Sequence, residues 1–145
     1  MTSSLKFETR HTKDEIKEVY NFNTEAFTDL NEWTQTSIEK QLKEGWELVS
    51  VKSGKEIICA LFLKKNGPVL LTKNTPIKIN HQGNGYSHEI KEFYEKYAKE
   101  NGINEVYNYT PRDNFRMISL NEGHDYAKTG KSIEDGALIE WVKKI

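Results

Sequence analysis

Cysteine is nearly absent from this chain: Cys59 is the only one in 145 residues, and it stands inside an apolar run. A single thiol excludes a disulfide framework and points to a reducing compartment. No charge of one sign dominates. Twenty-one Lys and Arg are interspersed with 22 Asp and Glu, for a net charge of -1, so no basic face is offered to nucleic acid. There is no long hydrophobic run. The longest, Ile57 to Leu63, is far too short to cross a bilayer and reads as a buried strand. The opening segment MTSSLKFETRH lacks the apolar stretch of a secretion signal. The expectation is a cytoplasmic protein with neither nucleic acid nor membrane among its partners. Proline is scarce, with three residues, and no linker, repeat or low-complexity stretch divides the chain.

What is present is aromatic and periodic. Aromatics make up 11% of the chain and hydrophobic residues 36%, against a mean hydropathy of -0.77. The aromatics recur at regular spacing, which argues for a folded chain rather than a disordered one. The length suits a single domain over 1–145. Leu5 to Thr9 alternates as a strand. Thr12 and Glu15 have the form of a capping box opening a helix, with Ile16, Val19, Tyr20 and Phe27 on one face. A second helix is expected between Trp33 and Glu44, capped by Thr36 and Glu39 and stopped by Gly45.

Three strands follow, Trp46 to Val51, Ile57 to Leu63 and Val69 to Ile79, joined by turns at Ser53-Gly54-Lys55 and Asn66-Gly67. Pro76 lies inside the third, so that strand should kink or bulge near Asn74 to Pro76. A helix through Ile90, Phe93, Tyr94 and Tyr97 ends at Gly102. A strand from Ile103 to Tyr109 comes next, then a short helix from Pro111 to Asn121 with Pro111 at an early position. The tail reads as a hairpin, Tyr126 to Glu134 and Ala137 to Val142, turning at Asp135-Gly136. This order is an α/β (α+β) chain with a mixed, mostly antiparallel sheet, about four helices and one β-α-β unit.

The segment PIKINHQGNGYSHEI, starting at Pro76, sets two glycines between a strand and a helix. The amides at a helix start have no partner inside the helix and carry partial positive charge. Glycines let an anion approach them without a Cβ in the way. Gly83, Asn84, Gly85, Tyr86 and Ser87 are therefore a candidate anion cradle. An ordinary strand-to-helix turn explains the same letters equally well. The stretch is neither a Walker A loop nor a dinucleotide fingerprint.

Gln82-Gly83-Asn84-Gly85-Tyr86-Ser87 resembles the Gln/Arg-x-x-Gly-x-Gly/Ala signature of the GNAT superfamily of acyl-CoA N-acyltransferases, with Ser87 at the last position. A second match lies downstream. Asn114, Met117, Asn121 and Glu122 fit Asn-x-x-Met-x-x-x-Asn-Glu-x-x-Gly-Phe, and Asp125-Tyr126 stands where Gly-Phe is usual. The resemblance implies a sheet splayed at a β-bulge, with strand backbone near Ile77 open to the pantetheine arm of CoA. It implies the pyrophosphate on the amides of Gly83 to Ser87 beside Gln82, and a polar contact from Asn114. The implied reaction is direct transfer of an acetyl group from acetyl-CoA to a primary amine of a small molecule or peptide. The alternative is a GNAT-fold CoA-binding or regulatory protein without catalysis. A homodimer is left open.

The resemblance sets Asn121 where many members carry a tyrosine acid. Asparagine donates a hydrogen bond but is no acid, so no general acid is assigned. Tyr109, with Tyr107 on the same strand face, and Asp29 and Glu32 in the first interhelical loop are candidates for the amine's proton. Each also reads as a core tyrosine or a solvated carboxylate. His81 and His88 lack a third partner at metal-ligand spacing, so no metal is expected. His124-Asp125 reads as a turn, Cys59 as a buried filler, and Trp33, Trp46 and Trp141 as packing. Lys91, Arg112 and Arg116 read as surface charge, with CoA phosphates as the functional option.

Overall fold

The computed structural model describes residues 5–9, 11–20, 35–75, 77–78, 81, 83–133 and 135–145. Among them the strands are β1 (Leu5–Glu8), β2 (Glu47–Ser53), β3 (Glu56–Asn66), β4 (Val69–Asn74), β5 (Glu105–Pro111), β6 (Ala127–Ile133) and β7 (Leu138–Lys144). The helices are α1 (Lys13–Tyr20), α2 (Gln35–Lys43), α3 (Tyr86–Glu100) and α4 (Phe115–Gly123). The strand order is β1-β2-β3-β4-β5-β7-β6, with β4 and β5 parallel and the pairs β1–β2, β2–β3, β5–β7 and β6–β7 antiparallel. This is the mixed, mostly antiparallel sheet expected of the sequence. Two compact units divide the chain, Met1–Leu63 with Asn74–Tyr86, and Lys64–Lys73 with Ser87–Ile145.

In the first unit, α1 opens with the capping box read from the sequence. The Thr12 amide donates to Glu15 Oε1 at 3.0 Å, and the Glu15 amide donates to Thr12 Oγ1 at 3.2 Å. Lys52 Nζ joins Glu8 and Glu15, at 2.9 and 2.6 Å. Helix α2 starts at Gln35, so Thr36 lies inside its first turn rather than ahead of it. At its end Gly45, at φ 93°, lets the Trp46 amide reach the Gln41 carbonyl at 3.1 Å. Residues Ile57 to Leu63 of β3 are all buried, with Val19, Ile38, Val49 and Val51. Apolar side chains on both faces account for the unbroken run of the sequence. Cys59 is part of that core, and burial pushes its thiol up to about 12.

In the second unit, Leu70, Ile90, Tyr94, Ala98, Ile103, Val106 and Trp141 are buried. Helix α3 ends as expected, with Gly102 at φ 67° and the Ile103 amide on the Ala98 carbonyl at 2.9 Å. Pro111 is the last residue of β5 and not an early residue of a helix. The true cap of α4 is Asn114, whose Oδ1 accepts from the Met117 amide at 3.1 Å. Asp135 and Gly136, at φ 56° and 85°, lie in the turn between β6 and β7, where Ile133 pairs with Leu138 and the Gly136 amide donates to the Ile133 carbonyl at 3.2 Å.

Candidate functional site

Strand β4 ends at Asn74, next to the kink expected from Pro76, itself outside the described residues. Backbone pairing resumes out of step. The Thr75 amide donates to the Ala60 carbonyl, and the Lys78 amide donates to the Ile58 carbonyl, both at 2.9 Å. Three steps on one chain segment match two on the other, so one extra residue bulges out between Thr75 and Lys78. Thr75 Oγ1 also accepts from the Ala60 amide at 3.0 Å, which locks the start of the bulge. Ile77 sits within it, 8% exposed.

Past this bulge the chain reaches the glycines. Gly83 and Gly85 adopt φ 84° and 76°, where glycine is strongly favoured over other residues. A Cβ built on either would meet nothing within 4 Å. Asn84 Nδ2 donates to the His81 carbonyl at 3.1 Å and holds the turn. Helix α3 then starts at Tyr86 and runs 15 residues, which gives its first-turn amides a full helix dipole behind them. The open space over both glycines fits the anion cradle read from the sequence. Gln82 lies outside the described residues, as do Asp29, Glu32, Phe27 and Trp33.

At the end of β5, Asn121 of α4 is fully buried. Its Nδ2 donates to Thr110 Oγ1 at 2.9 Å and, at 3.4 Å, to Asn108 Oδ1. Thr110 in turn donates to Asn108, and Asn108 Nδ2 to Thr72 on β4. Asn121 thus closes a buried polar chain that ties α4 to β5 and β4. Asn114 is half-buried, with its Oδ1 committed to the helix cap and its amide group the donor left to it.

The alternation of β5 puts Tyr107 and Tyr109 on the opposite face from Asn108. The Tyr109 hydroxyl donates to Glu140 Oε2 of β7 at 2.8 Å, and Thr129 Oγ1 donates to Glu140 Oε1 at 2.7 Å. Burial, then the bond to Glu140, holds the Tyr109 proton far above the ordinary phenol range. The sequence did not single out Glu140. Its only signal there is one acid in the apolar strand LIEWV.

Two further groupings were not read from the sequence. His88 Nδ1 and His124 Nε2 are 2.8 Å apart, and burial, then the neighbouring imidazole, lowers the His124 pKa. His81 instead bonds Glu56 at 3.0 Å, and among the described residues no group of three or more His, Cys, Asp or Glu could hold a metal. Lys91, expected at the surface, is 1% exposed. Its Nζ lies 4.5 Å from the centre of the Tyr126 ring and has no hydrogen-bond partner in the described residues. Burial lowers its pKa to about 7.

Comparison with solved structures finds this architecture over nearly the whole chain. One match is the ribosomal-protein-S18-alanine N-acetyltransferase from Escherichia coli, with 11% identity, 97% of this chain and 94% of that one covered, and a TM-score of 0.76. A second is the PaiA N-acetyltransferase from Thermoplasma acidophilum in complex with coenzyme A, with 12% identity, 99% and 100% coverage and a TM-score of 0.75. A third is a GNAT family acetyltransferase from Elizabethkingia anophelis with acetyl-CoA bound, with 14% identity, 99% and 100% coverage and a TM-score of 0.74. The chain has the GNAT fold. No family model matches the chain, and no curated protein matches it in sequence. Asp125 takes φ 66°, at the position where the resembling pattern has glycine, and the Tyr126 amide closes the helix on the Asn121 carbonyl at 2.9 Å.

Proposed function

We propose that this chain is an N-acyltransferase that takes the acetyl group of acetyl-CoA and passes it directly to a primary amine in the cytoplasm, as one domain. The observation that carries the reading is the bulge at Thr75–Lys78 followed by two positive-φ glycines at the head of α3, in a GNAT fold. Acetyl-CoA supplies the activated acyl group as a thioester. The amides of Gly83 to Ser87 receive its pyrophosphate, with Gln82 beside them, because a helix start offers unpaired N–H groups to an anion. Ile77 would offer bulged backbone to the pantetheine arm, and the Asn114 side-chain amide would supply a polar contact to the cofactor. Tyr109 faces the acceptor side. Asn121 acts through position, since its amide is occupied in holding β5 to α4.

Calorimetry with acetyl-CoA tests the cofactor half, and amine-dependent thiol release tests the reaction. Saturable binding and release that requires an added amine support the proposal. No binding at millimolar acetyl-CoA by a folded protein sinks it. A second reading, a GNAT-fold CoA-binding protein without catalysis, is favoured by the commitment of Asn121 Nδ2 to Thr110 and Asn108 at the place of the usual tyrosine. Binding without thiol release from any amine in a broad panel would select that reading.

A further inference from the structure

Glu140 is the only buried Asp or Glu among the described residues, at 8% exposed. Other carboxylates of the chain are matched by cations: Glu8 and Glu15 bond Lys52, Glu56 bonds Lys78, and Glu95 bonds Lys143. Among the described residues Glu140 bonds two neutral hydroxyls, those of Tyr109 and Thr129, and no cation. A carboxylate withdrawn from water without a counter-charge is unfavourable, and the local backbone is shaped to keep it there. Lys128 pairs with Trp141 and Ser132 with Ile139, so Thr129, Gly130 and Lys131 stand against Glu140 alone. Gly130, at φ 89°, permits this bulge. Within it Thr129 Oγ1 accepts from the Lys131 amide at 3.1 Å, which leaves its own proton for Glu140. Each carboxylate oxygen accepts one hydroxyl and keeps further lone-pair capacity. On the same face Tyr107, Leu138 and Val142 are only half-buried.

We infer that Glu140 is the seat of the acceptor's ammonium group, held ready by Tyr109 and Thr129, and that it selects a primary ammonium carried on an apolar chain. This rests on the acyl-transfer reading for its purpose, but the seat itself is a binding site and is tested as one. An incoming ammonium supplies the missing counter-charge, and the half-buried Leu138, Val142 and Tyr107 suit an aliphatic carrier. One buried carboxylate suits a monoamine better than a polyamine, which gains from several.

The probe is n-butylamine at pH 7.5, where it is the ammonium, with 1-butanol as the neutral control of similar size, each titrated into the full-length protein with and without acetyl-CoA. Butylammonium should bind at least about tenfold more tightly than butanol, the scale of one hydrogen bond to a charged group. Glu140→Gln should erase that preference while acetyl-CoA binding and the unfolding midpoint hold. Equal binding of the two probes to the wild type, or a preference that survives Glu140→Gln, overturns the inference. If the variant does not fold, the wild-type comparison decides. Failure to bind acetyl-CoA would sink the acyl-transfer reading and leave the seat standing, whereas equal binding of the two probes by the wild type with intact thiol release would do the reverse.

Discussion

Lys91 and Glu140 are buried charges with opposite solutions. Glu140 keeps two hydroxyl donors, whereas the Lys91 amine has the ring faces of Tyr126 and Tyr94 and no hydrogen-bond partner among the described residues. Losing a proton is then the cheaper course for Lys91, and burial lowers its pKa from 10.5 to about 7. Between about pH 7 and 10.5 the unfolded chain holds a proton that the folded chain does not, so stability rises with pH across that window. Below it both states are charged, and the folded state bears the full desolvation cost. Lys91→Met should therefore stabilise the protein at pH 7 by about 1–3 kcal/mol and flatten the rise. Urea melts at pH 6, 8 and 10 check both effects. Asp125 carries a smaller strain. At φ 66° it occupies a region costly for most side chains and milder for Asp. Asp125→Gly should gain about 0.5 kcal/mol, less than the strain relieved because glycine loosens the unfolded chain.

Elements whose ends are set by nearby residues were legible. The Thr12–Glu15 box, the Gly45 and Gly102 stops and the Asp135-Gly136 turn all act over a few residues. Thr12→Ala should cost about 1 kcal/mol by leaving a first-turn amide unpaired, measured as a lower urea midpoint. Glu15, held by Lys52 and by the Thr12 amide, has its pKa lowered to about 2. Its stabilising contribution is present above about pH 4.5 and is lost as pH falls toward 2. Boundaries that depend on packing were misplaced. Pro111 carries the sign of a helix start, yet pairing of β5 with β7 extends the strand through it to Leu138. Helix α4 waits for Asn114, whose side chain supplies the cap.

For the molecule as a whole, cofactor binding should appear as stability. A ligand at 100 times its dissociation constant adds about 2.7 kcal/mol when it binds the folded state alone. Acetyl-CoA should raise the melting temperature of the wild type by several degrees. Gly85→Glu should lose that rise, since it places a carboxylate in the space over the cradle. It should also lower the melting temperature by a few degrees without ligand, because φ 76° strains any side chain. A thermal shift equal to the wild type's would remove the glycines from the cofactor site.

The residues alone determined the periodic elements, the break near Pro76 and the two glycines before α3, because each depends on local sterics or short-range hydrogen bonds. The same letters left the glycine stretch open between an ordinary turn and a cradle. Tertiary structure decided which side chains meet. The sheet register brings Glu140 opposite Tyr109, and the β6 bulge adds Thr129. The packing of α4 turns Asn121 into a buried tie, and the burial of α3 closes Lys91 off from water. Their spacings, from 11 residues for Asn121 and Thr110 to 31 for Tyr109 and Glu140, carry no pattern in the chain. Burial and cross-strand pairing join distant positions, and they exist only once the fold has formed.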